Sequence, residues 1–442
     1  MSDVPALAAE RRTAPRGRVP VLGLGANWPQ FALLVATNAF VGGMVGLERS
    51  VLPVLARDEF GIASKTVGVS FIASFGLAKA LTNLYAGWLS ERSSRRRVLI
   101  AGWLAGLPVP LIIILAPSWS WVIAANALLG VNQGLAWSMT VNMKVDLVGP
   151  RQRGLALGIN EAAGYLAVGA GAFLAGVVAS AYGLRPEPWY LGIAFAAIGL
   201  ALSVLLVRDT TPYVRIESAG EGRGLNAGAA HAAGDGRGTE ASLRRSFARG
   251  TWGDRHLVGA SQAGFVNNLN DGLAWGILPL YFAGQGLSLT RVSALAALYP
   301  LIWGALQLAT GWASDLIGRK PMIVAGMLVQ AGAIAAIALA DTFAAWAAAV
   351  ALLGAGTAMV YPALLAATSD ATAAGERATA LGVYRFWRDA GAIVGALAAG
   401  ALSDLLGFEP AIAIVAAITA ASGYIAFVTL RASGPATMEA AP

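Results

Sequence analysis

Twelve apolar stretches, each long enough to cross a bilayer as a helix, dominate this sequence. The hydrocarbon core of a membrane is about 30 Å thick and needs about 20 mostly apolar residues in a helix. Of the 442 residues, 57% are hydrophobic and 12% are charged, against about 25% charged in a soluble domain. The sequence therefore predicts an all-α membrane protein with 12 transmembrane helices. The stretches lie near residues 29–55, 66–89, 98–116, 120–145, 155–182, 188–207, 257–283, 290–313, 321–340, 343–368, 377–404 and 408–430.

The stretches form two sets of six, separated by a long polar segment. Residues 208–256 are rich in Gly, Ala and Arg and contain no sustained apolar stripe, a pattern typical of a flexible linker. We therefore expect two six-helix bundles joined by this linker. The predicted domains are a cytoplasmic tail at 1–28, an N-terminal six-helix bundle at 29–207, the cytoplasmic linker at 208–256, a C-terminal six-helix bundle at 257–430 and a cytoplasmic tail at 431–442.

The basic residues predict the orientation in the membrane. Most of the 31 Lys and Arg residues fall in the tails, the linker and the loops on their side, including the run from Lys144 to Arg153. The positive-inside rule assigns this side to the cytoplasm, so we expect a multi-pass plasma-membrane protein with both termini inside. The net charge of +7 is then a topology signal. We expect no nucleic-acid partner, because the Arg residues do not gather with aromatic residues on one face.

The sequence gives little support for enzyme or metal chemistry. The chain has no Cys, and its two His residues, His231 and His256, lie in or beside the linker. This pattern excludes thiol nucleophiles, Cys-based metal sites and His-based sites within the membrane. No P-loop is present, so ATP is not the expected energy source. We expect no enzymatic activity, no cofactor and no metal.

The two halves of the sequence repeat one another at an offset of 224 residues. GWLSERSSRRR at 87–97 aligns with GWASDLIGRKP at 311–321, and ALG at 156–158 aligns with ALG at 380–382. A shared offset over several helices indicates a duplicated unit with both copies in the same orientation. The matched pairs include Arg95 with Arg319, Arg96 with Lys320, Arg153 with Arg377, Gly171 with Gly395, Gly176 with Gly400 and Gly183 with Gly407.

The duplication and two polar loops make the chain resemble the major facilitator superfamily (MFS), over about residues 29–430. Both loops are similar to the family signature G-x-x-x-D-R-x-G-R-[KR]. In the first loop, Glu91 replaces the acid and Ser94 the second Gly. The resemblance implies the MFS fold of two pseudo-symmetric six-helix bundles, with these loops as inner-face gating elements. The signature residues are Gly87, Glu91, Arg92, Arg95 and Arg96 in the first loop, and Gly311, Asp315, Gly318, Arg319 and Lys320 in the second.

Two positions depart from patterns common in this family. Many proton-coupled members have an Arg in helix 4 where this chain has Gly130, and drug antiporters usually have Gly-Pro in helix 5 where this chain has Gly169 and Ala170. Both differences count against a drug-antiporter assignment.

Charged residues inside the predicted helices indicate an internal polar site, because an ionised side chain in hydrocarbon costs a few kcal/mol or more. Helices 3, 6, 9 and 12 carry none between their ends, which suits the outer scaffold that the resemblance implies. The buried charges are Glu48 and Arg49 in helix 1, Lys79 in helix 2, Glu161 in helix 5, Asp271 in helix 7, and Arg385, Arg388 and Asp389 in helix 11.

The charges of helix 11 lie at i, i+3 and i+4, and hence on one helical face. We expect Arg385, Arg388 and Asp389 to face the cavity together, with Asp389 pairing with at least one Arg. The repeat places Glu161 at the position equivalent to Arg385. These two residues are predicted to pair across the seam between the halves and to separate during transport. A static pair that fixes helix packing is the alternative.

Amide and aromatic side chains add candidates for a polar lining. Tyr299, Trp303 and Gln307 recur at i, i+4 and i+8 on helix 8. Amides and hydroxyls also join membrane helices to one another, so contact with substrate and helix packing both stay open. The candidate cavity residues are Asn38, Lys79, Asn132, Gln133, Asn267, Asn270, Tyr299, Trp303, Gln307, Arg385 and Arg388.

The sequence as a whole predicts a monomeric secondary active transporter that exports a small molecule by alternating access. Proton coupling is the leading hypothesis, because desolvated carboxyl groups can titrate near physiological pH. One alternative is an organic or inorganic anion carrier or exchanger that holds its substrate with Arg385, Arg388 and Lys79. A non-transporting membrane receptor or scaffold with the same fold is the other. The candidate proton carriers are Glu48, Glu161, Asp271 and Asp389.

Overall fold

The computed structural model describes residues 21–148, 153–214, 244–372 and 377–431, and most of them are helical. Twelve long helical elements run alternately up and down through this part of the chain. A short helix, Lys65–Gly68, precedes α2, and α7 consists of three consecutive pieces, Arg255–Gly272, Leu273–Ile277 and Leu278–Gly284. The elements are α1 (Leu24–Asp58), α2 (Ser70–Arg92), α3 (Arg95–Leu115), α4 (Trp119–Val148), α5 (Arg153–Tyr182), α6 (Glu187–Leu205), α7 (255–284), α8 (Leu289–Ile317), α9 (Arg319–Leu339), α10 (Phe343–Asp370), α11 (Arg377–Leu406) and α12 (Phe408–Thr429).

Within these described ranges, nine of the helices are long and apolar enough to cross a membrane. The other three, α2, α4 and α7, carry polar side chains in their middle turns, including Lys79, Asn132 and Asp271. Such residues lower the mean hydropathy of a helix that turns them toward protein, as a membrane interior requires. The twelve helices agree with the predicted number.

Helix packing follows the sequence duplication. In the first half (α1–α6), α1 packs on α5; in the second half (α7–α12), α7 packs on α11. Gly171 of α5 and its repeat equivalent Gly395 of α11 make both contacts close, because a Cβ at either position would collide with the backbone of Gly43 or Leu269. Between the halves, α5 packs on α8 and α2 packs on α11.

The predicted linker differs in part from a structureless segment. Its residues 215–243 lie outside the described residues, but residues 244–253 are helical. Phe247 packs against the rings of Phe386 and Trp387 of α11, at centroid distances of 5.8 and 6.1 Å. Aromatic packing of this kind stabilises the helix at the C-terminal end of the linker. The high Gly and Arg content of the linker as a whole does not predict this helix. The exact domain boundaries remain predictions.

The N-terminus of α7 is capped by Asp254. Its Oδ1 accepts hydrogen bonds from the backbone N–H groups of His256 and Leu257, at 2.9 and 3.3 Å. Partial burial opposes ionisation, but these N–H bonds and the nearby Arg431 and Arg249 outweigh it and lower the pKa of Asp254. An N-cap carboxylate also interacts favourably with the helix dipole.

Replacing Asp254 with Ala should destabilise the protein by about 1 kcal/mol, the usual cost of losing an N-cap. The folded-state pKa is lowered, so this stabilisation is present above the ordinary Asp pKa of about 3.9 and is lost as pH falls through the lowered value. The unfolding temperatures of Asp254→Ala and wild type should therefore differ at pH 7, and this difference should shrink as pH falls below about 4. The exposed Asp341 provides a control in Asp341→Ala, and equal unfolding temperatures of Asp254→Ala and wild type at pH 7 would contradict the assignment.

Candidate functional site

Four aromatic rings, two from each half, meet at the seam between α5 and α8. Trp137 and Tyr165 come from the first half, and Trp303 and Tyr361 from the second. The rings of Tyr165 and Trp303 stack across the seam with centroids 3.6 Å apart and an interplanar angle of 28°. Trp137 lies 5.8 Å from Tyr165, and Tyr361 lies 5.6 Å from Trp303. We call these four side chains the ring cluster.

Glu161 of α5 borders the ring cluster and is held from both halves. Its Oε1 accepts hydrogen bonds from Trp137 Nε1 at 3.1 Å and from Asn160 Nδ2 at 2.9 Å. Its Oε2 accepts a hydrogen bond from the hydroxyl of Tyr361 at 3.4 Å. The carboxylate is half-buried, so it combines three donors with partial access to solvent.

The predicted pair between Glu161 and Arg385 is absent from this conformation. Arg385 is exposed, and no ion pair joins it to Glu161 in the part of the chain that the structure describes. The physical reason is that Trp137, Asn160 and Tyr361 already satisfy the carboxylate. Whether the pair forms in another conformation stays a prediction.

A buried Lys that the sequence analysis counted among the loop charges lies beside this group. Lys144 is fully buried in α4, and its Nζ donates to Oδ1 of Asn160 at 2.5 Å. Asn160 in turn donates to Glu161, so Lys144 and Glu161 interact through one amide. A Lys three residues inside a helix end could have suggested this role, but a window over hydropathy assigns it to the loop.

The remaining charges of α11 are buried as a pair. Arg388 NH2 lies 3.1 Å from Asp389 Oδ1, as predicted for these neighbours. The Arg388 guanidinium also lies 4.9 Å from the ring centre of Tyr361, which ties the pair to the ring cluster by a cation–π contact. Lys79 of α2 interacts electrostatically with Asp389 from the first half. Arg385 is the exception, since it is exposed, although it still interacts electrostatically with Asp389 and Tyr361.

Asp271 of α7 is buried and bound to a tyrosine. The hydroxyl of Tyr299 donates to Asp271 Oδ1 and lies 3.1 Å from the hydroxyl of Thr357. The ring of Tyr299 packs at 5.9 Å from that of Trp303. Asp271 therefore reaches the ring cluster through Tyr299, on the same side of α8 that the i, i+4 spacing predicted.

Glu48 and Arg49 of α1 form a deeply buried charged site, with both residues 1% exposed. The guanidinium of Arg49 is surrounded by the rings of Phe75, Trp275 and Phe71, at 4.7, 5.1 and 5.7 Å from their centres. Neither carboxylate oxygen of Glu48 has a hydrogen-bond partner among the described residues. The sequence predicted Glu48, whereas nothing in it indicated the aromatic cage around Arg49.

The amides of α7 bond to neighbouring helices, which favours helix packing over substrate contact, the two roles left open for them. Gln330 of α9 donates to Asn267 Oδ1 and accepts from Asn270 Nδ2, both at 2.9 Å. The hydroxyl of Thr419 on α12 donates to Asn270 Oδ1, also at 2.9 Å. These bonds join α7 to two outer helices. The physical reason is that a neighbouring helix satisfies a buried amide more completely than a cavity does.

Two amides of the first half also connect helices. Asn38 of α1 accepts from Thr140 and donates to the carbonyl of Asn160, and Asn132 of α4 donates to the carbonyl of Gly102 on α3 at 2.8 Å. This placement again favours helix packing, and contact of these amides with substrate stays a prediction. Gln133 and Gln307 are buried too, and Gln133 Oε1 and Gln307 Nε2, like Asn132 Oδ1, have no partner in the described ranges.

The signature loops contain equivalent ion pairs in the two halves. Arg95 Nε lies 2.5 Å from Asp146 Oδ2 on α4, and Arg319 Nε lies 3.4 Å from Asp370 Oδ2 on α10. Both pairs stand at the 224-residue offset. Each therefore joins the loop to the end of one helix of its own half.

Other signature residues have local roles at the same face. Asp315 pairs with Arg319 one turn away, and Gly318 has a φ of +102°, which only Gly adopts readily. Arg96 donates to the carbonyl of Ser203, and Lys320 lies 4.9 Å from a ring centre on α12. Gly311 lies near Pro362 of α10. Gly87, Glu91 and Arg92 lie outside the residues whose side chains are described, so the gating role predicted for the loops stays untested.

A second contact between the halves lies at the opposite face, meaning the face away from the helix ends near Leu24 and Thr429. Asp404 near the end of α11 accepts hydrogen bonds from the backbone N–H groups of Lys65 and Thr66, at 2.7 and 3.0 Å. The hydroxyls of Ser64 and Thr66 donate to it as well, at 2.9 and 2.8 Å. We call this the Asp404 contact. The sequence does not predict the Asp404 contact, because no local signal pairs residues 340 positions apart.

Replacing Asp404 with Asn should weaken closure of the opposite face. Hydrogen bonds to a charged group contribute about 1.5–3 kcal/mol, so losing part of this set shifts the equilibrium by roughly tenfold or more. The chain has no Cys, so a single Val69→Cys, buried beneath the contact, reports opening through its rate of maleimide labelling. That rate should rise about tenfold with Asp404→Asn.

Two controls accompany this measurement. Asp341→Asn changes an exposed carboxylate at the same face and should leave labelling of Val69→Cys unchanged. Leu115→Cys, 77% exposed, should react at one rate in every background. Equal labelling of Val69→Cys with Asp and with Asn at position 404 would show that the Asp404 contact does not close this face.

Comparison with known proteins places this architecture in a family. The sequence model of the Major Facilitator Superfamily matches residues 31–256 and 261–442. The chain therefore belongs to this superfamily, and it is a multi-pass membrane transporter rather than an enzyme. The prediction of the MFS fold is confirmed.

Solved structures of transporters share the fold at low sequence identity. A POT family transporter in complex with 5-aminolevulinic acid superimposes with a TM-score of 0.72 at 12% identity, covering 93% of this chain and 98% of that one. The nucleoside transporter NupG gives 0.69 at 10% identity, with 91% and 100% covered. The human organic anion transporter MFSD10 (TETRAN) gives 0.64 at 17% identity, with 90% and 99% covered. At these identities the likeness concerns the fold alone.

Proposed function

We propose that this transporter is proton-coupled and exports a small organic molecule across the plasma membrane by alternating access, as a monomer with both termini in the cytoplasm. The observation that carries the proposal is the burial of Glu48 without a hydrogen-bond donor. An ionised carboxylate without a hydrogen-bond donor in the interior costs far more than the neutral acid, which costs only about a few kcal/mol. Glu48 therefore holds a proton while it is buried.

The position of Glu48 links its proton to movement of the halves. Its neighbour Arg49 belongs to α1 but contacts Trp275 of α7, in the other half. Relative movement of the halves would alter this cage and admit water to Glu48. A carboxyl that is protonated when buried and ionised when wet carries one proton per cycle, and this is the proposed coupling step.

The other three acids have partners and supply the surrounding network. Asp389 pairs with Arg388, Asp271 accepts from Tyr299, and Glu161 accepts from both halves. Breaking these bonds requires replacement donors from water or substrate. We propose that the partners of Glu161, Asp271 and Asp389 change when the two halves move relative to one another. Glu48 is the principal proton carrier.

The conformation of this structure supports loading from the terminal face, where the helix ends near Leu24 and Thr429 lie. The Asp404 contact joins the halves at the opposite face, while Arg385 on α11 is exposed. The positive-inside rule assigns the terminal face to the cytoplasm. Uptake of substrate from that side and release at the other constitutes export.

Glu48→Gln should uncouple transport from protons, because the amide keeps the shape of the neutral acid but cannot release a proton. In proteoliposomes, substrate accumulation driven by an imposed pH gradient should fall at least tenfold, while exchange of labelled for unlabelled substrate continues. Glu409→Gln, at an exposed position on α12, serves as the matched control. Gradient-driven accumulation that survives Glu48→Gln would reject Glu48 as the carrier.

A second candidate function is anion exchange without protons. Arg388 is buried with an unpaired Nε, Lys79 lies in the same network, and the exposed Arg385 interacts electrostatically with Asp389 in that network. Guanidinium groups bind carboxylates and phosphates strongly. These residues could hold an anionic substrate that exchanges for another.

Arg388→Ala separates this candidate from proton coupling. Anion exchange predicts counterflow that is insensitive to pH and falls at least tenfold with Arg388→Ala. Arg291→Ala, which removes an exposed Arg at the start of α8, is the control and should retain full activity. If no ligand that stabilises the protein thermally is moved across the membrane, both transport mechanisms fail and a receptor function is favoured.

A further inference from the structure

The ring cluster combines a stacked contact between the halves with unpaired donors at its edge. Tyr165 and Trp303 stack at 3.6 Å although they belong to different halves. Any movement of α5 relative to α8 must slide or separate these two rings. Separation would leave two flat aromatic faces opposite one another, a geometry that accepts another flat ring.

The unpaired polar atoms at this site are mostly donors. Trp303 Nε1, Gln307 Nε2 and Arg388 Nε are buried, with their side chains 1%, 5% and 8% exposed. None of these nitrogens has a hydrogen-bond partner in the portion of the chain that is described. A buried N–H without an acceptor is unfavourable, so a ligand that supplies acceptors gains more here than one that supplies donors.

The arrangement of these donors follows from the helices that carry them. Trp303 and Gln307 are one turn apart on α8 and so share a face. Arg388 and Trp303 both contact the ring of Tyr361, at 4.9 and 5.6 Å. Arg388 and Trp303 therefore lie around one ring, and Gln307 lies one turn from Trp303 at the margin of the ring cluster.

The carboxylates near the ring cluster are already used, and the unpaired acceptor nearby is the neutral amide oxygen of Gln133, one turn from Trp137 on α4. Glu161 accepts three hydrogen bonds, Asp271 accepts from Tyr299, and Asp389 pairs with Arg388. A cationic substrate would have to displace one of these internal donors. An anionic substrate would meet free donors instead, and the exposed Arg385, which interacts electrostatically with Tyr361, would attract it.

We propose that the ring cluster recognises a planar aromatic carboxylate. The ring of the substrate enters between Tyr165 and Trp303, and its carboxylate accepts hydrogen bonds from Arg388 and Gln307. This inference rests on the proposed transport function and specifies its substrate class. It applies to proton-coupled export and to anion exchange alike.

The test compares three probes that differ in one property each. Full-length protein in lipid nanodiscs is titrated calorimetrically with 2-naphthoate, with its saturated analogue decahydronaphthalene-2-carboxylate, and with 2-naphthylmethylamine. We expect 2-naphthoate to bind at least tenfold more tightly than either of the others. Equal affinity for the saturated acid would overturn the aromatic part of the proposal, and tighter binding of the amine would overturn the anionic part.

Variants connect the preference to the ring cluster. Tyr165→Leu should reduce the preference for 2-naphthoate over the saturated acid at least fivefold, whereas Tyr424→Leu, at a position 68% exposed on α12, should not alter it. Trp303→Phe keeps a ring but removes the N–H group. Trp303→Phe should therefore retain the preference for an aromatic ring. A retained preference would also show that Trp303→Phe is folded. An unchanged preference in Tyr165→Leu would place binding elsewhere.

Transport of the same probe separates this inference from the proposed function. Each of the three probes, in labelled form, is offered to proteoliposomes with and without a pH gradient. Selective binding without gradient-driven movement would reject proton coupling and leave the substrate class intact. Gradient-driven movement that is equal for all three probes would support proton coupling and reject the substrate class.

Discussion

Burial of ionisable side chains between two sets of helices is the constraint on which this structure depends. Hydrocarbon offers no hydrogen bonds, so every charge within the membrane must be satisfied by protein or by admitted water. The chain meets this requirement in three ways: an aromatic cage around Arg49, an ion pair between Arg388 and Asp389, and hydrogen bonds to Glu161 from both halves. The cage and the hydrogen bonds depend on residues from more than one helix, and the ion pair, although it lies within α11, contacts Tyr361 of α10 and interacts with Lys79 of α2. The polar site and the relative position of the halves are therefore one structural problem.

The sequence predicted the helices, the superfamily and most of the buried charges, because each has a local or repeated signal. Helix positions follow from long apolar runs, and the 224-residue offset follows from duplication. The ion pairs Arg95–Asp146 and Arg319–Asp370 could have been predicted from the same offset. Asp271, Glu48 and Arg388 were identified because a charge inside an apolar run is conspicuous whatever it contacts.

Rotation of side chains about the helix axes was beyond sequence reasoning. Asn267 and Asn270 face α9 and α12, since Gln330 and Thr419 supply their partners there. Lys144 is buried because Asn160 Oδ1 accepts a hydrogen bond from its ammonium group, although its position near a helix end suggested a loop. Asp404 meets the start of the short helix Lys65–Gly68 from the far half of the chain. Each of these outcomes depends on a neighbour that is remote in sequence.

The paired bridges Arg95–Asp146 and Arg319–Asp370 have a mechanical meaning. Each connects elements inside one half, and neither crosses to the other. Each half therefore has its own ion pair at the start of its third helix. This pair stiffens that half and does not restrain the contact between the halves. Loss of one ion pair would make one half less rigid and leave the other half unchanged, so the rigidity of the two halves can be altered independently.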